Sequence, residues 1–160
     1  MVCWPEQFGK STLEYLSILY NCCYNTLQSI LLYPSQELAS EMNMVKFVPL
    51  FRKINQFKDD IDKPFAIRND RLKLSNAVIW FSGAGTKCIG KSAKLCLGDE
   101  CSTWNCPNAN NIVELKKRTR SYDECLQIFV SSPTFKDNAF WQEFLNSSQG
   151  YYHLRCYNCN

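Results

Sequence analysis

The chain has 160 residues, ten of them cysteine, with 46% hydrophobic and 21% charged residues and a formal net charge of +3. That size and apolar content suit one globular domain with a buried core and exclude a disordered chain, while the charge is too small to demand a nucleic-acid partner. No apolar run approaches the roughly 20 residues of a membrane span, and no apolar leader opens the sequence, so the cysteines are expected to be reduced, buried thiols of a cytoplasmic protein rather than a disulfide framework.

Met1–Trp4 reads as the end of a strand, and Ser11–Tyr24 as a helix, with Leu13, Leu16, Ile18, Leu19 and Cys23 near helical spacing and no Gly or Pro. Leu27–Tyr33 is a mostly apolar run closed by Pro34, as suits a buried strand. Ser35 can cap the next helix, which carries Leu38 and Met42 on one face, and Val45–Phe57 is expected to be a further amphipathic helix with Pro49 near its start. Asp59–Asn69 is polar and turn-like. Arg71–Leu74 and Ala77–Phe81 read as two strands about Ser75-Asn76. Ser82–Lys94 reads as loop, and Leu95–Leu97 as a short strand running into Gly98-Asp99-Glu100. After a turn over Pro107–Asn111 come a charged helix (Ile112–Tyr122), a strand (Gln127–Val130) and a helix (Asn138–Asn146). Strands alternating with helices imply a mostly parallel sheet covered on both faces, with ligands at the carboxyl ends of the strands.

Three strand-end loops carry chemistry. The first ends in Gly9-Lys10-Ser11, the tail of the phosphate loop G-x-x-x-x-G-K-[ST], although its first glycine would fall at Trp4. A triphosphate needs backbone N–H groups at a helix start, a lysine against its charge and a hydroxyl on Mg²⁺. Gln7, Phe8, Gly9, Lys10 and Ser11 are the candidate nucleotide loop, Gly9 allowing close backbone approach and Ser11 holding Mg²⁺. In the second loop Asp99 is a candidate Mg²⁺ ligand, and Glu100 is placed to polarise an attacking water. The third, Ser131, Ser132, Pro133 and Thr134, can sense a γ-phosphate by gaining or losing a hydrogen bond. Taken singly, a capped helix with a surface lysine, an acidic turn and a hydroxyl turn account for the three loops. Their order along the chain is what points to a nucleotide. Cys156 and Cys159 form a CxxC half-site for zinc, with two ligands still required, and His153 reads as an ordinary strand residue.

The ordered set resembles the ATPase domain of phage terminase large subunits of the lambda-like branch. That family shows a modified loop of the form S-A-Q-V-G-K-T, here Pro5-Glu6-Gln7-Phe8-Gly9-Lys10-Ser11. Its following strand ends in a P-T or P-S turn, here Tyr33-Pro34-Ser35. Leu97-Gly98-Asp99-Glu100 is similar to its second acidic motif, Glu114 to Thr119 to its E-x-x-x-R-T helix, Ser131-Ser132-Pro133-Thr134 to its coupling turn, and Tyr151 to Cys159 to its Y-Y-x-x-C-P-x-C segment. The resemblance implies an α/β P-loop NTPase fold of helicase and terminase type over residues 1–150, with the start of an incomplete zinc ribbon over 151–160. It implies a motor that hydrolyses ATP with Mg²⁺ to drive double-stranded DNA into a procapsid, with the small terminase subunit and the portal as partners. Lys10 would bind phosphate and act with Glu100 in catalysis, Asp99 and Ser11 would hold the metal, and Ser131, Ser132 and Thr134 would couple hydrolysis to movement. Zn²⁺ would need a second CxxC. Compared with the family, little chain precedes Gly9 and no carboxylate-rich nuclease follows Asn160, so the sequence is expected to be the ATPase core alone. A helicase-like translocase, with Tyr33-Pro34-Ser35 and Phe81-Ser82-Gly83 against single strands, and a zinc adaptor built on Cys156 and Cys159 are the alternatives.

Overall fold

A computed structural model describes residues 1–25, 28–86, 90–104, 111–132, 134 and 138–150. Its centre is a seven-stranded sheet. The strands are β1 (Val2–Cys3), β2 (Gln28–Tyr33), β3 (Ile67–Arg68), β4 (Arg71–Lys73), β5 (Val78–Gly83), β6 (Leu95–Gly98) and β7 (Leu126–Ser131), in the spatial order β1-β7-β6-β2-β5-β4-β3. The five strands from β1 to β5 in that order run parallel, and β4 and β3 add an antiparallel edge. This is the mixed α/β sheet that alternating strands and helices predict.

The helices are α1 (Lys10–Tyr24), α2 (Gln36–Met42), α3 (Val48–Arg52), α4 (Lys58–Ile61), α5 (Asn111–Lys117) and α6 (Ala139–Leu145). Because successive strand residues point to opposite faces, β2 feeds two cores. Leu31 and Tyr33 pack with Ile18, Phe47, Phe51 and Phe81 beneath α1 to α3, whereas Ile30 and Leu32 pack with Ile112, Leu115, Phe129 and Phe140 beneath α5 and α6. With a face on each side, β2 and β6 are buried along nearly their whole length, which explains why they read as continuous apolar runs rather than alternating ones.

The structure alters several expected boundaries. Val45–Phe57 is not one helix. A π-turn over Asn43–Phe47 joins α2 to α3, with the Val48 N–H donating to the Asn43 carbonyl, and α3 stops at Arg52. Pro49 lacks an N–H and its ring crowds the preceding turn, so a widened turn just before it relieves the conflict. Asp59–Asn69 holds α4 and β3 rather than turn alone. Asp60 fixes that segment by accepting from the Ser75 N–H at 2.8 Å and the Ser75 hydroxyl at 2.5 Å. The charged helix α5 ends at Lys117, where Arg118, Thr119 and Arg120 tighten into i→i−3 bonds. The turn expected over Pro107–Asn111 lies outside the described residues except for Asn111, and the Cys156–Cys159 half-site lies wholly outside them. Among the described cysteines, Cys22, Cys96 and Cys101 are buried, as expected, while Cys125 is exposed.

Strand β5 runs on to Gly83, past the loop start expected at Ser82. The Gly83 N–H donates to the Gln36 side-chain oxygen at 3.0 Å, and a Cβ on Gly83 would lie 2.4 Å from the Gln36 nitrogen and 2.7 Å from the Ser35 carbonyl carbon. Those are backbone atoms at the capped start of α2, where Ser35 Oγ accepts from the Leu38 N–H. Gly83→Ala is therefore expected to destabilise the protein by about 3 kcal/mol, at the upper end of overpacking costs. A denaturation midpoint within error of wild type would show that α2 can move aside.

Candidate functional site

Parallel strands β1, β7, β6 and β2 present their carboxyl ends along one edge, with β7 seated between β1 and β6. Cys3 pairs with Ser131, Gly98 with Phe129, and Leu32 with Gly98. The pairing continues past the strands, since the Trp4 N–H donates to the Ser131 carbonyl at 3.2 Å and the Asp99 N–H to the Leu32 carbonyl at 2.9 Å. The three loops singled out in the sequence thus leave adjacent strand ends.

Lys10 is the hub. It opens α1 behind Gly9, whose left-handed conformation (φ 79°) caps the helix without a side chain. Gln7 also has a positive φ (61°), a costly conformation for a residue with a Cβ, and Phe8 is exposed. The Lys10 side chain is only 6% exposed. Its ammonium donates to the carbonyls of Trp4 and Pro5, both at 3.1 Å, and to the Ser132 hydroxyl at 2.7 Å. Glu100 Oε1 lies 3.9 Å away. An ammonium has three N–H groups, so all of them are engaged. Ser11, next on α1, is half-buried in the first helical turn.

From β6, Asp99 accepts the Glu100 N–H at 2.9 Å. Burial, then the Glu100 charge, raise its carboxyl to about 6, against the lowering influence of that hydrogen bond and of Lys10. Glu100 has a left-handed backbone (φ 47°) and starts a 3₁₀ turn, Cys101–Thr103. Gly98 precedes the pair because a Cβ there would meet Trp104 at 2.7 Å and Cys101 Sγ at 2.8 Å. Trp104 in turn donates its indole N–H to the Asp99 carbonyl at 2.8 Å.

From β7, Ser131 is fully buried. Its hydroxyl accepts the Ser102 N–H at 3.0 Å, shares a 2.6 Å hydrogen bond with the Ser102 hydroxyl and reaches Glu100 Oε2 at 3.5 Å. The Ser102 hydroxyl also donates to the Ser132 carbonyl at 3.2 Å. The coupling turn is thereby tied to both the lysine and the acidic pair. Thr134 is placed differently, exposed and accepting from Asn138 at the start of α6.

Four residues at the site were not singled out by their sequence motifs. Ser102, Cys101 and Trp104 brace the acidic turn. Glu14 lies on the buried stripe of α1 that also carries Lys10, Ile18, Asn21 and Cys22. Its place four residues after Lys10 was the available signal, because that spacing puts both on one helix face.

The candidate donors for a divalent cation are the Ser11 hydroxyl and the Asp99 carboxylate, both hard oxygen donors. Among the described residues, no group of three or more His, Cys, Asp or Glu side chains is placed to hold a metal. Mg²⁺ takes one or two protein oxygens and fills the rest with phosphate and water. The two buried oxygens of the Glu14 carboxyl, without a hydrogen-bond partner among the described residues, leave acceptor capacity open on the face of α1 that carries Lys10, which suits a hydrated cation. Among the described residues, no helix is long and apolar enough to cross a membrane.

Compared with known proteins, the whole chain, residues 1–160, matches the family model described as phage terminase large subunit gpA, ATPase domain. No curated protein matches it.

Proposed function

The chain belongs to the family of the phage terminase large subunit gpA ATPase domain, and from that premise we propose that it is the motor of a DNA-packaging machine, hydrolysing ATP to move double-stranded DNA into a procapsid. Family membership carries an ATPase role in phage DNA packaging. The observation that best supports the finer reading is the convergence on Lys10 of Ser132 at 2.7 Å and Glu100 at 3.9 Å, from three neighbouring strand ends. In this reading the loop Gln7–Ser11 and the start of α1 bind the phosphates, and Lys10 neutralises them. Mg²⁺ held by Ser11 and Asp99 would neutralise charge developing on the β- and γ-phosphates. Glu100 takes the proton of the attacking water. The small terminase subunit and the portal are the partners proposed by family analogy, and Zn²⁺ at Cys156 and Cys159 is proposed only with a second CxxC supplied from elsewhere.

Glu100→Gln keeps the shape of the turn and removes the base. It is expected to cut ATP turnover by about 10²-fold or more while ADP affinity stays within a few-fold. Equal turnover in wild type and variant would sink the assignment of Glu100.

Coupling follows from the donor count. Lys10 cannot add a phosphate oxygen to its three present acceptors, so binding must withdraw it from at least one. Release from Ser132 would pass directly to the β7 turn. Ser132→Ala removes that competitor and is expected to tighten nucleotide binding by roughly 2- to 10-fold, the worth of one hydrogen bond, while loosening the link to movement. Weaker binding in Ser132→Ala would show instead that Ser132 contacts the nucleotide.

A further inference from the structure

Glu14 is a carboxyl that the fold encloses without supplying a partner. It is 1% exposed, and neither side-chain oxygen has a hydrogen-bond partner among the described residues. It lies on the buried face of α1, one turn beyond Lys10 and three residues beyond Ser11, where the helix packs on β6 and β7. Ser11 and Glu14 are three residues apart and so share a helix face, and α1 packs on β6, the strand that runs into Asp99. Tyr33, on the next strand over, also has a buried hydroxyl with no partner among the described residues. Leaving such groups unpaired costs stability, and the rule that buried polar groups are hydrogen-bonded is rarely broken without a reason.

We propose that Glu14 is a positioning residue for the divalent cation, accepting a hydrogen bond from water carried by the ion that Ser11 and Asp99 hold. The proposal rests on the nucleotide-site reading of Lys10, Ser11 and Asp99. A magnesium ion retains several waters, each of which needs an acceptor when the site is closed from solvent. The carbonyl oxygen of the Glu14 carboxyl can accept even while that carboxyl carries its proton. Alternatives to this role are poor, because a solely structural group in that position would be better made of hydrocarbon. Methionine there would match much of the volume and remove the desolvation cost.

The experiment titrates ADP into the 160-residue chain by calorimetry, with Mg²⁺ and separately in chelator, for wild type, Glu14→Met and Glu14→Gln. In wild type the cation is expected to strengthen ADP binding. In Glu14→Met that gain should shrink about tenfold, with affinity in chelator unchanged within twofold and the melting temperature in chelator raised. Glu14→Gln keeps an acceptor oxygen and should retain most of the gain. A full cation gain in Glu14→Met overturns the proposal while leaving the nucleotide site standing. Failure of Glu14→Met to fold also overturns it, because Glu14 would then be a structural necessity. No ADP binding by wild type in either condition defeats the nucleotide reading itself, and this inference falls with it.

Discussion

Replacing Lys10 with alanine is expected to lower ATP turnover by on the order of 10³-fold, the larger end of what one preorganised charge contributes to a developing negative centre. The reason lies in how much is arranged around that single ammonium. Burial to 6% exposure removes most of the water that would otherwise solvate it, and the Trp4 and Pro5 carbonyls hold it at the mouth of the loop. Loss of the charge also removes the cation 3.9 Å from Glu100 and the one opposing the raised Asp99 carboxyl. The variant should still fold, at a cost of about 1–3 kcal/mol, the range for leaving hydrogen-bonding groups without their partner. Circular dichroism checks the fold, and a steady-state phosphate-release assay checks the turnover. Activity within tenfold of wild type, from a folded variant, would show that Lys10 ties the loop down and does not face phosphate.

Much of this arrangement is legible in the sequence because the features are local. Gly9-Lys10-Ser11 predicts a helix start, and α1 begins at Lys10. Ser35 reads as a cap and accepts from Leu38. Apolar runs at β2, β6 and β7 locate the buried strands, since strands covered on both faces have no polar alternation. What the sequence hides is set by tertiary contact. Nothing local says that β7 lies between β1 and β6, yet this alone brings Ser132 within 2.7 Å of Lys10, 122 residues away. Pro49 suggests a helix start, but the π-turn before it, in which Phe47 packs against Tyr15 and Phe81, breaks the single helix expected there. Glu14 looks like an ordinary helical glutamate. Only the packing of α1 against β6 and β7 turns it into a buried carboxyl.

That burial has a consequence for stability that is separable from any ligand. Burial first, and then the charges of Asp99 and Glu100, push the Glu14 carboxyl from 4.5 up to about 9, and Asp99 rises from 3.8 to about 6. Both values are raised, so the folded chain keeps protons that the unfolded chain releases at the ordinary carboxylate values. Stability from these groups is fully present below about pH 4. It declines as pH climbs, through about 6 for Asp99 and about 9 for Glu14, because rising pH favours the state that binds fewer protons. One retained proton corresponds to about 1.4 kcal/mol per pH unit, so Glu14 alone should remove on the order of 4 kcal/mol between about pH 5 and pH 8. That is a large share of the 5–15 kcal/mol typical of a domain. Asp60 acts in the opposite sense and at lower pH. Burial works against its charge, but Lys63 and Ser75 hold its carboxyl down to about 2, so its contribution is lost only as pH falls below the usual 3.8. Urea midpoints measured across this range should therefore fall steadily for wild type. Glu14→Gln cannot ionise and should show a much flatter profile, crossing wild type to become the more stable protein at alkaline pH. Parallel profiles for the two proteins would mean that Glu14 meets water or a counter-charge in the folded chain, and its burial between α1 and the acidic strand end would have to be given up.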